Sequence, residues 1–143
     1  MRRSLTFSLL SIVVAMSIPL PAQRAAATGV RTLANVRELH DLMISPASDA
    51  VFEASSNQPL DAKGWTTARN QALVLAESGN LLIMRNRASD WIAESRSLID
   101  VGTAVYKAAD AKDARAVASL TERVDASCTS CHKKFRPALF APK

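Results

Sequence analysis

The chain has 143 residues, which is enough for one domain of ordinary size. Its 18 Lys and Arg exceed its 13 Asp and Glu, giving a formal net charge of +5 at pH 7. Three of those cations are Arg2, Arg3 and Arg24, so the chain that follows them is nearly neutral. Because no basic run with interleaved aromatic residues is present, the composition argues against a nucleic-acid partner.

The first 27 residues have the pattern of a secretory signal peptide. Two arginines precede an apolar stretch at about 5–20, and small residues follow it. We expect cleavage between Ala22 and Ala27, which leaves one domain, 28–143. An uncleaved anchor is the alternative, but the apolar stretch is shorter than the roughly 20 residues of a typical spanning helix. The pattern therefore predicts an exported protein with no membrane span in its mature form.

The mature region begins with a predicted helix over about 31–55. Its inward-facing positions recur three and four residues apart, as on the buried face of an amphipathic helix. These positions are Leu33, Val36, His40 and Met43. Pro46 lies inside the span, where it either kinks the helix or restarts it with Ser45 as the N-cap.

Two more helices are predicted at about 62–86 and 90–109. The first of these has a stripe at three- and four-residue spacing whose small members permit close approach of a neighbouring helix. The stripe consists of Trp65, Ala68, Ala72, Leu75, Gly79 and Leu82. Asp90 is the predicted N-cap of the later helix.

The last predicted helix covers about 113–136 and ends before Pro137. Its stripe is Val117, Leu120, Val124, Cys128, Cys131 and Phe135. Four helices of this length joined by short loops predict an all-α protein, an antiparallel four-helix bundle. The two cysteines of the chain continue the inward face of its final helix.

Residues 128–132 read Cys-Thr-Ser-Cys-His, the C-x-x-C-H spacing that is typical of covalent haem attachment. Positions i, i+3 and i+4 share one helix face, so both thiols and the imidazole of His132 can face one porphyrin. A zinc site needs about four ligands, and outside the motif only His40 remains. A thioredoxin-like redox pair needs a βαβ context, and no strand-rich segment is visible. The motif therefore predicts one covalently attached haem c near the C-terminal helix.

The signal peptide, the four helices and the C-x-x-C-H motif on the last helix together resemble the class II c-type cytochromes. This group contains cytochrome c′ and its low-spin relatives, and the similarity extends to Phe135 and Arg136 after the motif. The resemblance implies that Cys128 and Cys131 carry the haem, that His132 is the proximal iron ligand and that Arg136 lies near a propionate. A solvated charge at a helix end is the alternative for Arg136.

The predicted signal peptide indicates a periplasmic protein, and the resemblance implies that it works with redox partner proteins. Many class II relatives dimerise through their first two helices, and the small residues at 68–79 permit a homodimer. The sequence shows no acid–base pair or nucleophile outside the haem motif, in agreement with a non-enzymatic role.

The residue opposite His132 decides between two functions. Cytochrome c′ proteins usually leave the iron five-coordinate and bind gases such as nitric oxide and carbon monoxide. Low-spin relatives supply a sixth ligand from the first helix and transfer electrons. Here that helix offers His40 and Met43, and an open site is the third alternative; two histidines favour a lower reduction potential than His with Met. A bundle without haem, whose Cys128 and Cys131 form a disulfide, also stays open.

Overall fold

The computed structural model describes residues 31–141, so the predicted signal peptide lies outside the described residues. This part of the chain is helical and contains no β-strand. The first long helix is continuous but has three parts, and three further long helices and a short 3₁₀ turn follow. The elements are α1 (Val36–Leu39), a π-helical turn (His40–Ile44), α2 (Ser45–Ser56), α3 (Ala62–Ile83), α4 (Ser89–Asp110), α5 (Ala114–Phe135) and the 3₁₀ turn (Pro137–Phe140). The predicted all-α class with four helices is confirmed.

The helices pack in a ring in which α2 contacts α3, α3 contacts α4, α4 contacts α5, and α5 contacts α2. The end of α3 meets the start of α4, where Gly79 lies against Ser95. The start of α3 meets the end of α4, where Arg69 bonds to Asp110 at 2.7 Å. Consecutive helices are thus antiparallel, as short connections require. No helix within residues 31–141 is long and apolar enough to cross a bilayer.

Small residues hold α3 and α4 close together. A Cβ added to Gly79 would lie 2.8 Å from the carbonyl oxygen of Ser95, and one added to Gly102 would lie 2.8 Å from the backbone nitrogen of Ala76. All six predicted stripe positions of α3 are buried. Gly79, a small residue of the predicted stripe, is therefore packed against α4 of the same chain.

The first helix begins later than predicted. Asn35 accepts a hydrogen bond from the backbone N–H of Glu38, and the Glu38 carboxylate accepts one from the N–H of Asn35, which forms a capping box. Leu33 precedes this cap and is 86% exposed. Its predicted place on the buried stripe was wrong, because the capping box starts the helix at Val36.

Aspartates cap two of the later helices but not the third. Asp61 and Asp113 cap α3 and α5 through side-chain hydrogen bonds to backbone N–H groups. The prediction for Asp90 was wrong, because the N-cap of α4 is Ala88 and Asp90 lies in the first turn. A carboxylate in that turn still interacts favourably with the helix dipole.

The first helix does not restart at Pro46. It continues through the π-helical turn, which the N–H of Ser45 closes by bonding to the carbonyl of His40. Ser45 has helical backbone angles and makes no side-chain cap, so of the two alternatives the restart with Ser45 as N-cap is excluded. Pro46 has no N–H, and its ring would clash with the carbonyl four residues earlier in a regular helix. A wider turn ahead of the proline accommodates the ring and keeps the chain helical.

The end of α4 carries a residue in a left-handed conformation. Lys112 has φ of 54°, and the N–H groups of Lys112 and Asp113 bond to the carbonyls of Ala109 and Ala108, which is a Schellman motif. A side chain in this conformation costs about 1 kcal/mol. We therefore expect Lys112→Gly to raise the free energy of unfolding by about 1 kcal/mol in urea denaturation. Lys112→Ala keeps the Cβ and should give no gain; equal stability of the two variants would contradict this explanation.

Candidate functional site

A cavity of about 690 Å³ lies at the end of the bundle where the first helix begins and α5 ends. This volume is within the range of small-molecule and cofactor sites. Its apolar walls come from all four long helices. They include Ile44, Leu82, Trp91, Leu98 and Phe135. The predicted site residues that line it are His40, Cys128, Cys131, His132 and Arg136.

The two cysteines are half-buried on the cavity side of α5, and both are free thiols. Burial is the main cause that raises the pKa of Cys128, followed by Asp125. The pKa of Cys131 is raised by burial, then by Glu94 and Cys128. Redox-active C-x-x-C cysteines have lowered pKa values and favour helix N-termini. The pKa values of Cys128 and Cys131 are raised instead, and both residues lie towards the C-terminus of α5. Their environment is therefore not that of an activated dithiol.

The two histidines of the chain meet across the cavity. The ring centroids of His40 and His132 are 5.4 Å apart, with the ring planes at 45°. Two imidazoles on opposite sides of one metal ion have centroids about 6 Å apart, because each metal–nitrogen bond is about 2 Å. Burial lowers the pKa of His132, and His40 and Arg136 lower it further. A lowered pKa favours the neutral imidazole of His132, which is the form that binds a metal.

The histidine pair lacks the other ligands of a bare metal-ion site. Within residues 31–141, no group of three or more His, Cys, Asp or Glu side chains converges in a suitable arrangement. Haem iron needs only axial ligands from the protein, because the porphyrin supplies the others. Two imidazoles beside a large apolar cavity and two adjacent thiols fit that requirement.

Met43 is not among the residues that line the cavity. It is partly buried against the hydrophobic core, and Ile44 takes the place beside His40. The π-helical turn is the cause, since it uses more residues per turn than an α-helix. Met43, three positions after His40, is therefore well short of one full turn and does not share the face of His40. Of the two sixth-ligand candidates, the structure brings His40 and not Met43 to His132.

Arg85 lines the cavity, but its guanidinium group already donates hydrogen bonds to backbone carbonyls. It donates to the carbonyl of Ala34 at 3.1 Å and to that of Leu81 at 3.0 Å. This ties the segment before the first helix to the end of α3. Arg136, by contrast, is exposed at the end of α5 and lines the cavity mouth.

Sequence reasoning missed Glu94, an acidic group in the cavity wall. The Glu94 carboxylate is 12% exposed and lies 3.1 Å from the ammonium group of Lys134. This hydrogen bond is the largest cause that raises the pKa of Lys134. Its sequence signal was weak, because a Glu on α4 and a Lys on α5 pair only after the helices have packed.

The two tryptophans have different environments. Trp91 lines the cavity, donates its Nε1–H to the carbonyl of Leu82 at 2.7 Å and packs edge-to-face on Phe135 at 4.9 Å. Trp65 lies in a separate core cluster with Ala68. Trp91 is therefore a wall of the site, whereas Trp65 is ordinary core.

The cavity thus joins residues that are far apart in the sequence. His40 comes from the first helix, Glu94 from α4, and Cys128, Cys131 and His132 from α5. The role of the cavity is therefore inferred from the chemistry of these residues. The chain matched no protein-family model, no curated protein and no solved structure.

Proposed function

We propose that the protein is an exported monohaem c-type cytochrome, of the class II kind, that transfers single electrons. The observation that carries the proposal is the convergence of both thiols and both imidazoles on one apolar cavity. Within the described residues, His40 is the histidine that faces the C-x-x-C-H motif, and its ring centroid lies 5.4 Å from that of His132.

Each residue has a distinct role in this proposal. Cys128 and Cys131 would hold the haem by thioether bonds, and His132 and His40 would supply its iron ligands. When bound, haem supplies a one-electron iron couple, and the protein tunes its potential and access. Trp91 and the other apolar walls exclude water from the ligands. Two imidazole ligands favour a low reduction potential.

The charged groups at the cavity suit the same role. Arg136 is exposed at the mouth, where its guanidinium would pair with a haem propionate. Arg85 is less suited to this, because its donors already bond to carbonyl groups. The signal-peptide pattern at 1–27 supports export to the periplasm, and an electron carrier there would work with redox proteins as partners.

Replacing both cysteines tests haem attachment directly. After expression with haem-attachment machinery, we expect the wild-type protein to keep its haem stain on a denaturing gel and Cys128→Ser/Cys131→Ser to lose it completely. His40→Ala is the matched control and should keep the stain, because its thioether bonds are intact. A wild-type protein without stain would contradict the proposal and would favour a bundle that carries no haem.

A further inference from the structure

We propose that Ser45 is a positioning residue for the iron ligand His40. Its hydroxyl accepts a hydrogen bond from the Nδ1–H of His40, which leaves the Nε2 lone pair of that ring for the cavity. The inference rests on the proposed function, because it assigns His40 to the iron.

The contact depends on the π-helical turn. The Oγ of Ser45 lies 3.2 Å from the Nδ1 of His40, five residues earlier. In a regular α-helix, residues i and i+5 point to different faces, because i+3 and i+4 are the neighbours. A π-turn bonds residue i to i+5 and so puts the two side chains one above the other. Pro46 follows directly and disfavours a regular α-turn at this position.

Ser45 behaves differently from other helical serines of this chain. Serine in a helix commonly bonds to a carbonyl three or four residues earlier. Ser48, Ser56 and Ser78 all do so, with oxygen–oxygen distances of 2.7 to 3.0 Å. The hydroxyl of Ser45 instead contacts an imidazole side chain. Its contact is therefore not the ordinary one of a serine in a helix.

A neighbouring carboxylate selects the tautomer of His40. The Oδ1 of Asp41 lies 3.6 Å from the same Nδ1, and Arg37 holds the other carboxylate oxygen at 3.3 Å. A negative charge beside Nδ1 favours a proton on that nitrogen. The Ser45 hydroxyl, which can donate or accept, then accepts. Nε2 stays unprotonated, and an acceptor behind a ligating histidine orients the ring and raises its basicity.

Carbon monoxide binding to the ferrous haem protein measures how firmly His40 is held, because the gas must displace it. We expect Ser45→Ala to raise the apparent carbon monoxide affinity about 10-fold or more, since loss of such a partner typically weakens metal ligation about 10–100-fold. The reduction potential should also rise, because a less basic ligand stabilises ferric iron less. Ser45→Thr keeps the hydroxyl and should restore both properties.

Ser48→Ala is the matched control. It removes a serine hydroxyl from the same helix, and that hydroxyl bonds to the backbone carbonyl of Ser45 at 2.9 Å and not to His40, so it should leave both properties unchanged. A Ser45→Ala protein with wild-type affinity and potential would overturn the inference, and so would an equal effect of Ser48→Ala. A wild-type protein that binds carbon monoxide as readily as His40→Ala would instead overturn the assignment of His40, which separates the two failures.

Discussion

His40→Ala is expected to turn a ferrous protein that resists carbon monoxide into one that binds it readily. The imidazole of His40 faces that of His132 across the cavity, and no methionine of residues 31–141 lines this space. If the proposed haem is bound there, removal of His40 would leave its iron without a sixth ligand. The apparent affinity should rise at least about 100-fold, because the partner behind a ligand alone accounts for about 10–100-fold. Absorption spectra of the ferrous protein under a carbon monoxide titration measure this.

Met43→Ala is the control for this experiment. Met43 packs against the core outside the cavity, so its loss should lower stability while the haem spectrum stays low-spin. If Met43→Ala opened the iron to carbon monoxide and His40→Ala did not, the ligand assignment would be wrong.

Gly102→Ala is expected to destabilise the bundle, although alanine is the better helix former. Its Cβ would lie 2.8 Å from the backbone nitrogen and 3.0 Å from the Cα of Ala76, so α3 and α4 would have to separate. Overpacking of this kind costs about 1–3 kcal/mol and occasionally more, and contact with rigid backbone favours the upper end of that range. The gain in helix propensity from glycine to alanine offsets about 1 kcal/mol. We expect a net loss of about 1–2 kcal/mol in the free energy of unfolding, measured by urea denaturation.

Gly64→Ala is a matched comparison. It brings a similar gain in helix propensity, but its added Cβ would not approach the backbone of a neighbouring helix. The nearest atoms to its added Cβ belong to the side chains of Leu60 and Asp61, at 3.2 to 3.3 Å. We expect a change within about 1 kcal/mol of the wild-type value. A Gly102→Ala protein as stable as Gly64→Ala would show that close approach of α3 and α4 is not needed for stability.

The helices and their inner faces were predictable because they repeat. The α3 stripe from Trp65 to Leu82 is buried as predicted, and Val117 and Val124 of α5 are fully buried. The periodicity alone carries this information, since three- and four-residue spacing fits one face of a helix. The C-x-x-C-H motif, with its spacing of three and four, also predicted that its side chains would share a face.

The start of the first helix could have been predicted as well. Asn35 and Glu38 have the spacing of a capping box, which marks the helix start after Leu33. The apolar three- and four-residue spacing continues past this signal to Leu33, so periodicity alone wrongly assigns Leu33 to the buried face.

The choice between His40 and Met43 could not be made from the sequence. In a regular helix both residues lie on one face, and only the π-helical turn separates them. Pro46 indicates that the helix is disturbed, but a kink, a restart and a π-turn are all compatible with a proline. The hydrogen-bond and ion-pair partners of Arg85 and Glu94 could not be predicted from the sequence either, because they come from segments that meet only in the folded chain.

The absorption spectrum of the wild-type ferrous protein, with and without carbon monoxide, tests the central claim most directly. Expression with haem-attachment machinery provides the holoprotein. We predict sharp low-spin bands that remain unchanged at a carbon monoxide concentration sufficient to saturate His40→Ala, as expected for iron held between His132 and His40. A broad high-spin spectrum that shifts with carbon monoxide would contradict this account and would indicate a gas-binding protein with an open iron site.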